Sequence, residues 1–296
     1  MALRLTTASK RGDGLPLAII RGGARDKQLL VHDEEPLEGS AQLITLEPDE
    51  RFQIIPETRP GMRSVFHIVG PSGAGKSTLA GEFARAFKEI WPTSRVIIVS
   101  TVDAEDPAFS DLDHTRVEID EGLNDIGMPE LAASAKGAPV LLVFDDVEGL
   151  PKAKKLALES FQQRALETGR KLKIHTLSLF HRAAAGNSTK TLLSEANGLA
   201  FFPRTSTGNL GYALEKHFSI PPAIRTMLKD GWGRWVLLRT DGSPSYILGE
   251  RRASIYDAEE LQTLLRRQEK RERAQDSALA RAQAKALLSS AAHPMD

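Results

Sequence analysis

The chain of 296 residues contains no cysteine. That excludes disulfides, thiolate metal sites and a cysteine nucleophile, and it fits a reducing compartment. No apolar run approaches the ~18 residues needed to cross a bilayer, so no membrane-spanning helix is expected. Neither sign of charge is in excess: Lys and Arg total 39, and Asp and Glu total 39. No basic field over the whole molecule exists to draw in nucleic acid, so any such contact must be local, through one face or one loop. The opening MALRLTTASKRGDG is basic and lacks the apolar segment of a secretory signal. It reads as a frayed terminus, with a transit-peptide-like segment as the alternative. No internal repeat is visible.

What is present is enough chain to bury a substantial core. Hydrophobic residues make up 41% and charged residues 26%, which describes a globular protein with unevenly spread charge. LPLAII (15–20), KQLLVH (27–32), AQLITL (41–46) and RFQIIP (51–56) are short apolar runs broken by Gly, Pro and Asp. They predict a small β-rich N-terminal region over 1–57. From Val65 strands and helices alternate, which predicts an α/β core with a mostly parallel sheet flanked by helices over 58–250. Its strands are expected at 65–69, 95–100, 139–146, 171–180 and 198–203. Helices are expected after the first of these, with Leu79, Phe83, Phe87 and Ile90 inward, and over 152–168, with Leu156, Phe161 and Leu166 inward. Shorter helices are expected at 189–196, 209–216 and 221–229, and 101–113 is expected as loop. GRWVLLRT (233–240) and PSYILG (244–249) flank Asp241-Gly242, which predicts a hairpin, and GWGRWVLL (231–238) places Trp232 and Trp235 packed in it. The segment 251–296 reads as a long charged helix. Much of it has nothing to bury, so it is solvated or bound to a partner.

VGPSGAGKST, Val69 to Thr78, follows an apolar strand and opens an amphipathic helix. It matches the pattern GxxxxGK[ST], in which glycines let the backbone curl so that its N–H groups point inward at phosphate. Gly70, Pro71, Ser72, Gly73, Ala74, Gly75, Lys76, Ser77 and Thr78 are the candidate nucleotide-binding residues. Lys76 is placed to reach the β- and γ-phosphates, and the Ser77 hydroxyl to ligate Mg²⁺. The expected ligand is ATP or GTP with magnesium. No NKxD motif supports guanine, no LSGGQ-like run supports an ABC transporter ATPase, and the loop lacks the arginine of large terminases.

VLLVFDD (140–146) supplies a buried strand ending in carboxylates. Asp145 is the candidate metal residue, and Asp146 is the candidate to orient or deprotonate the attacking water, with Glu148 as its fallback. The alternative is acidic capping of a strand. Past the strand 171–180, His181, Asn187, Ser188 and Thr189 are candidates to sense the γ-phosphate. Asn187 is favoured, against the alternative that it caps the next helix. Arg182 and Arg204 lie at core strand ends, where either is a candidate finger for a neighbour's nucleotide or an ordinary surface arginine. His67 and His175 lie within strands and are expected to be packed.

The order GPSGAGKS, VLLVFDD, SLFHRAAAGNSTKTLLSEANGLAFFPRTSTGNLGYALEKHF and IRTMLKDGWGRWVLL resembles the poxvirus-type genome-packaging ATPases of large DNA viruses, in the FtsK/HerA superfamily. The likeness spans about residues 60–250. Its specific part is the ordered series Phe201-Phe202-Pro203, Asn209 to Tyr212 and Arg234-Trp235-Val236. The resemblance implies an ATPase motor that assembles as a homo-oligomeric ring and pumps double-stranded DNA into a capsid. It implies capsid proteins as candidate partners, and the host cytoplasm, in a virus factory, or the virion as the location. Many members carry Asp-Glu where this chain has Asp145-Asp146. The rival readings are a small-molecule or nucleotide kinase, with 101–138 as its lid, and a nucleotide-gated scaffold whose tail helix binds a partner.

Overall fold

The computed structural model describes the chain outside residues 1, 8–13, 34–39, 102–105, 186, 241–244, 257–260, 262, 264, 268, 269, 271, 272, 275, 279, 280, 282 and 284–296, and of residues 187 and 188 it describes the backbone alone. It divides into two compact units, Met1–Tyr256 and Asp257–Asp296.

In the first unit, five strands come first: β1 (Ala2–Thr6), β2 (Leu15–Arg21), β3 (Leu29–Asp33), β4 (Leu43–Thr45) and β5 (Arg51–Ile54). Four of them form an antiparallel sheet in the order β1-β3-β2-β5. β1 falls where a frayed end was expected. Its register on β3 brings Arg4 onto Asp33, with two hydrogen bonds of 2.7 and 3.1 Å, and buries Leu3. A partner 29 residues away decides this, which local composition does not show. β4 leaves the small sheet for the edge of a larger one.

The larger sheet has ten strands. Six run parallel: β6 (Val65–Val69), β7 (Arg95–Ser100), β8 (Thr115–Glu118), β9 (Val140–Asp145), β10 (Ile174–Phe180) and β11 (Gly198–Phe201). The antiparallel strands β12 (Val236–Arg239), β13 (Tyr246–Gly249) and β14 (Arg252–Ile255) extend it, and the full order is β4-β14-β13-β12-β11-β6-β10-β9-β7-β8. The fold class is α/β, as expected, with β6, β9 and β10 buried along their whole length, as strands covered on both faces are. β12 and β13 pair antiparallel as expected, and Trp232 and Trp235 are buried beside them. The Asp241-Gly242 turn lies outside the described residues. β10 lies between β6 and β9, so one strand end separates the glycine-rich loop from the carboxylates.

The helices are α1 (Lys76–Ile90), α2 (Met128–Ala133), α3 (Lys152–Leu172), α4 (Asn187–Glu195), α5 (Leu210–His217) and α6 (Pro222–Met227). α1 buries Leu79, Phe83 and Phe87 as its spacing predicts, while Ile90, in its last turn, is exposed. The small sheet is tied to α1: Arg21 pairs with Glu89 at 2.6 Å, Arg51 pairs with Glu82, and Gln53 donates to the Glu82 carbonyl at 2.6 Å. α3 buries Phe161 and Leu166 as expected, but it differs at Leu156 and runs on to Leu172. Its buried face is Ala157, Leu158, Phe161, Gln162, Ala165 and Leu166, and Leu156 is 57% exposed. At about 100° per residue, Leu156 lies on the far side from Leu158. Gly169 does not end the helix, because the buried Arg63 guanidinium lies against it and donates to the carbonyls of Ala165 (2.7 Å) and Leu166. The described residues of 101–113 are turns and bends, as expected, and β8 and α2 follow them, with Leu123 and Met128 buried. In the second unit, Leu261, Thr263 and Leu265–Arg267 are helical, and so are the described residues further along, up to Gln283.

Candidate nucleotide site

The loop between β6 and α1 needs its glycines for stated reasons. Gly73 and Gly75 hold φ of 74° and 105°, which residues with a Cβ rarely adopt. At Gly70 a Cβ would stand 2.8 Å from the Phe202 ring, so the loop lies directly on that buried phenylalanine. Gly75 caps α1 with no side-chain cap hydrogen bond, and the first-turn amides of a helix are donors that favour phosphate. Ser72, Gly73 and Thr78 are exposed along the crest.

Lys76 is 8% exposed, and its ammonium bonds to the carbonyls of Gly70 (3.0 Å) and Pro71 (3.2 Å) and meets His181 Nδ1 at 3.3 Å. Burial lowers its pKa, against the pull of Asp145, Asp146 and Glu148. The Ser77 hydroxyl donates to Asp145 Oδ2 at 3.3 Å. Asp145 is 6% exposed, and its carboxyl is pushed up to about 6, first by burial and then by Asp146 and Asp106, although the Asp146 N–H and Ser77 bond to it. A buried carboxylate beside a hydroxyl is oxygen-donor chemistry suited to a hard divalent cation. Among the described residues no group of three metal-binding side chains gathers anywhere. The hydroxyl and carboxylate oxygens fit Mg²⁺ in donor type, and Mg²⁺ is commonly held by few protein ligands.

The other expected residues lie around this pair. Asp146 is exposed, with φ of 49°, and its carbonyl accepts from the Thr101 hydroxyl at 3.0 Å. Glu148 accepts the His181 backbone N–H at 2.5 Å. Asn187 opens α4, but its side chain lies outside the described residues. The Thr189 hydroxyl accepts the Ala185 N–H at 2.8 Å. Arg182 is exposed and bridges to the Gly208 backbone, while Arg204 donates to the Lys229 carbonyl at 3.2 Å. His67 and His175 are packed: His67 Nε2 meets the Ala183 carbonyl at 3.1 Å, and His175 Nδ1 accepts the Ser64 N–H at 3.1 Å. Among the four candidates past β10, where Asn187 was favoured, was His181. Its signal was its place, first after the strand between the loop and the carboxylates. A cavity of about 470 Å³ opens beside it, lined by Glu148, Lys155, Glu159, Gln162 and Arg182 among others.

A strand, a GxxxxGKS loop and a helix at one end of a mostly parallel sheet, with a carboxylate from a second buried strand at the loop's serine, define a P-loop NTPase fold. No protein-family model matches the chain. The chain is 29% identical over 242 residues to "Uncharacterized protein V3" of Sputnik virophage, covering 80% of this chain and 94% of that protein. Among solved structures, it is similar to B204, the DNA-packaging ATPase from Sulfolobus Turreted Icosahedral Virus, at 14% identity over 65% of this chain and 99% of that one, with a TM-score of 0.45. It is also similar to the pCW3 conjugation coupling protein TcpA in its monomer form with ATPgS, at 13% identity over 83% of this chain and 79% of that one, with a TM-score of 0.44.

Proposed function

We propose that the chain is a magnesium-dependent ATPase that moves double-stranded DNA, working as a ring of identical copies to fill a viral capsid. The observation that carries the ATPase reading is the convergence of Lys76, Ser77 and Asp145 on the mouth of one glycine-rich loop. The DNA reading rests on the ordered motifs from Phe201 to Val236, which resemble the packaging ATPases, and on the strand order that carries them. Residues 58–250 carry the chemistry in this reading. The segments 1–57 and 251–296 serve assembly or capsid docking, and the protein works in a virus factory or the virion.

The loop amides and Lys76 hold the triphosphate with the γ-phosphate towards the ends of β9 and β10. Ser77 and Asp145 would hold Mg²⁺, which when bound would neutralise charge on the phosphates. A carboxylate after Asp145 takes the proton of a water whose oxygen attacks the γ-phosphorus. The bond to the β–γ bridging oxygen breaks, and ADP leaves with the electron pair. Lys76, short of solvent and held by the Gly70 and Pro71 carbonyls, is oriented before the phosphate arrives.

The kinase reading needs 101–138 as a mobile lid. β8 in the sheet edge, and the buried Leu123 and Met128, make much of that segment part of the body instead. The test is ATP turnover with and without double-stranded DNA. Turnover stimulated by DNA, and lost in Lys76→Ala with the fold intact, is expected. Turnover that persists in Lys76→Ala overturns the loop assignment, and turnover indifferent to DNA overturns the motor.

A further inference from the structure

Resting on the ATPase reading, we propose that His181 is a positioning residue linking Lys76 to Glu148, and that Glu148 is the carboxylate that serves the attacking water once a γ-phosphate has taken Lys76.

Lysine has three N–H donors. Here they meet three acceptors: the carbonyls of Gly70 (3.0 Å) and Pro71 (3.2 Å), and His181 Nδ1 at 3.3 Å. A phosphate oxygen that bonds to Lys76 must displace one of them. Two are main-chain oxygens of the loop itself. The third, the longest, belongs to a side chain that can turn. The imidazole is therefore the partner that a γ-phosphate displaces or joins.

The other end of the imidazole faces Glu148. His181 Nε2 lies 3.9 Å from Glu148 Oε2, and the same oxygen accepts the His181 main-chain N–H at 2.5 Å. One residue thus holds both the lysine that grips phosphate and a carboxylate two strands from the loop. The topology explains the placement: His181 follows β10, which lies between β6 and β9. Glu148 also borders the cavity of about 470 Å³, with His181, Arg182 and Gln162, which has room for water beside its carboxylate. Glu159, on the same wall, is paired with Lys155 at 3.7 Å.

Charge does not choose between the two carboxylates that follow Asp145, since both act on Lys76. Placement does. Asp146 is exposed and held through its main chain, whereas Glu148 accepts the main-chain N–H of the residue whose imidazole meets the lysine, and that ring's Nε2 lies 3.9 Å from its carboxylate.

The experiment is a double-mutant cycle in the full-length protein, reading kcat and KM for ATP hydrolysis together with ATPγS binding. His181→Ala is expected to lower kcat by about 10- to 100-fold and leave ATPγS affinity within about threefold, and Glu148→Gln to lower kcat by about 100-fold or more. His181→Gln, whose amide can span the same two groups, should recover part of the loss. In the Glu148→Gln background, His181→Ala should cost almost nothing more. In Asp146→Asn, the two losses should multiply. Multiplying losses in the His181/Glu148 pair, an unchanged kcat in His181→Ala, or a full loss in Asp146→Asn with little in Glu148→Gln overturns the proposal. Melting curves identify a variant that fails to fold, and His181→Gln then carries the cycle. The outcomes separate from the broader reading: a wild type without ATP turnover removes both, whereas turnover that needs Lys76 with an additive cycle removes this coupling alone.

Discussion

Two histidines show how a residue's burial becomes a property of the protein. His67 and His175 sit inside β6 and β10, 0% and 2% exposed. Burial lowers their pKa values to about 4 and about 3, from 6.5. The sign follows directly. Below pH 6.5 the unfolded chain takes up protons that the folded chain refuses, so stability falls with pH by about 1.4 kcal/mol per unit for each histidine. At pH 5 the pair should cost about 4 kcal/mol relative to pH 7.5. The Asp145 carboxyl, raised to about 6, works the other way and offsets part of that. Urea titrations at the two pH values should show the loss, and His175→Gln should reduce it. Equal stability at both values would remove the effect. That the two side chains are packed was legible from their positions in apolar runs. The role of His181 was less so, because which strand end meets Lys76 depends on strand order.

At the scale of elements, the loop's shape depends on β11. That strand pairs with β6, which sets Phe202, the next residue but one after Ala200, beneath Gly70 and Gly75. Phe202 is 3% exposed. Phe202→Ala should cost about 3–5 kcal/mol in stability and also weaken nucleotide binding, because the loop loses its floor. Thermal denaturation and an ATPγS titration would measure both. A destabilised variant with wild-type nucleotide affinity would mean that the loop holds its own shape. The motif itself was plain in the sequence, and so was the strand carrying Phe202. Their meeting was not, since they lie more than a hundred residues apart. In α3 the expected Phe161 and Leu166 face inward, and the expectation failed only at Leu156. Leu156 and Leu158 are equally apolar, and the start of the helix after Pro151 decides which one faces inward.

Across the whole first unit, one buried ion pair joins distant parts. Glu57, on the way from the small sheet into β6, meets Arg239 of β12 at 3.1 Å, and both side chains are fully buried. Arg239 also lies over the rings of Phe66 and Tyr246. Burial alone would raise the Glu57 pKa, but Arg59 and Arg239 outweigh it and hold the carboxylate below its usual range. Glu57→Gln removes the countercharge to a buried guanidinium and should lower stability by about 3–5 kcal/mol. A shift in the denaturant midpoint measures this, and a midpoint within error of wild type would contradict it. The small sheet is thus bound to the core at α1 and near β12 alike.

By itself the sequence determined the α/β alternation, the glycine-rich loop between strand and helix with Lys76 and Ser77, the carboxylates at the end of β9, and the histidines buried in strands. Each of these is written in near-neighbour chemistry: apolar periodicity, or glycines at fixed offsets before a lysine. Only the tertiary structure decided that β1 is a strand, that β4 belongs to the large sheet, that Phe202 underlies the loop, and that His181 stands between Lys76 and Glu148. Those facts depend on pairing between segments far apart in the chain, where the energy lies in register and in shared burial that no local window contains.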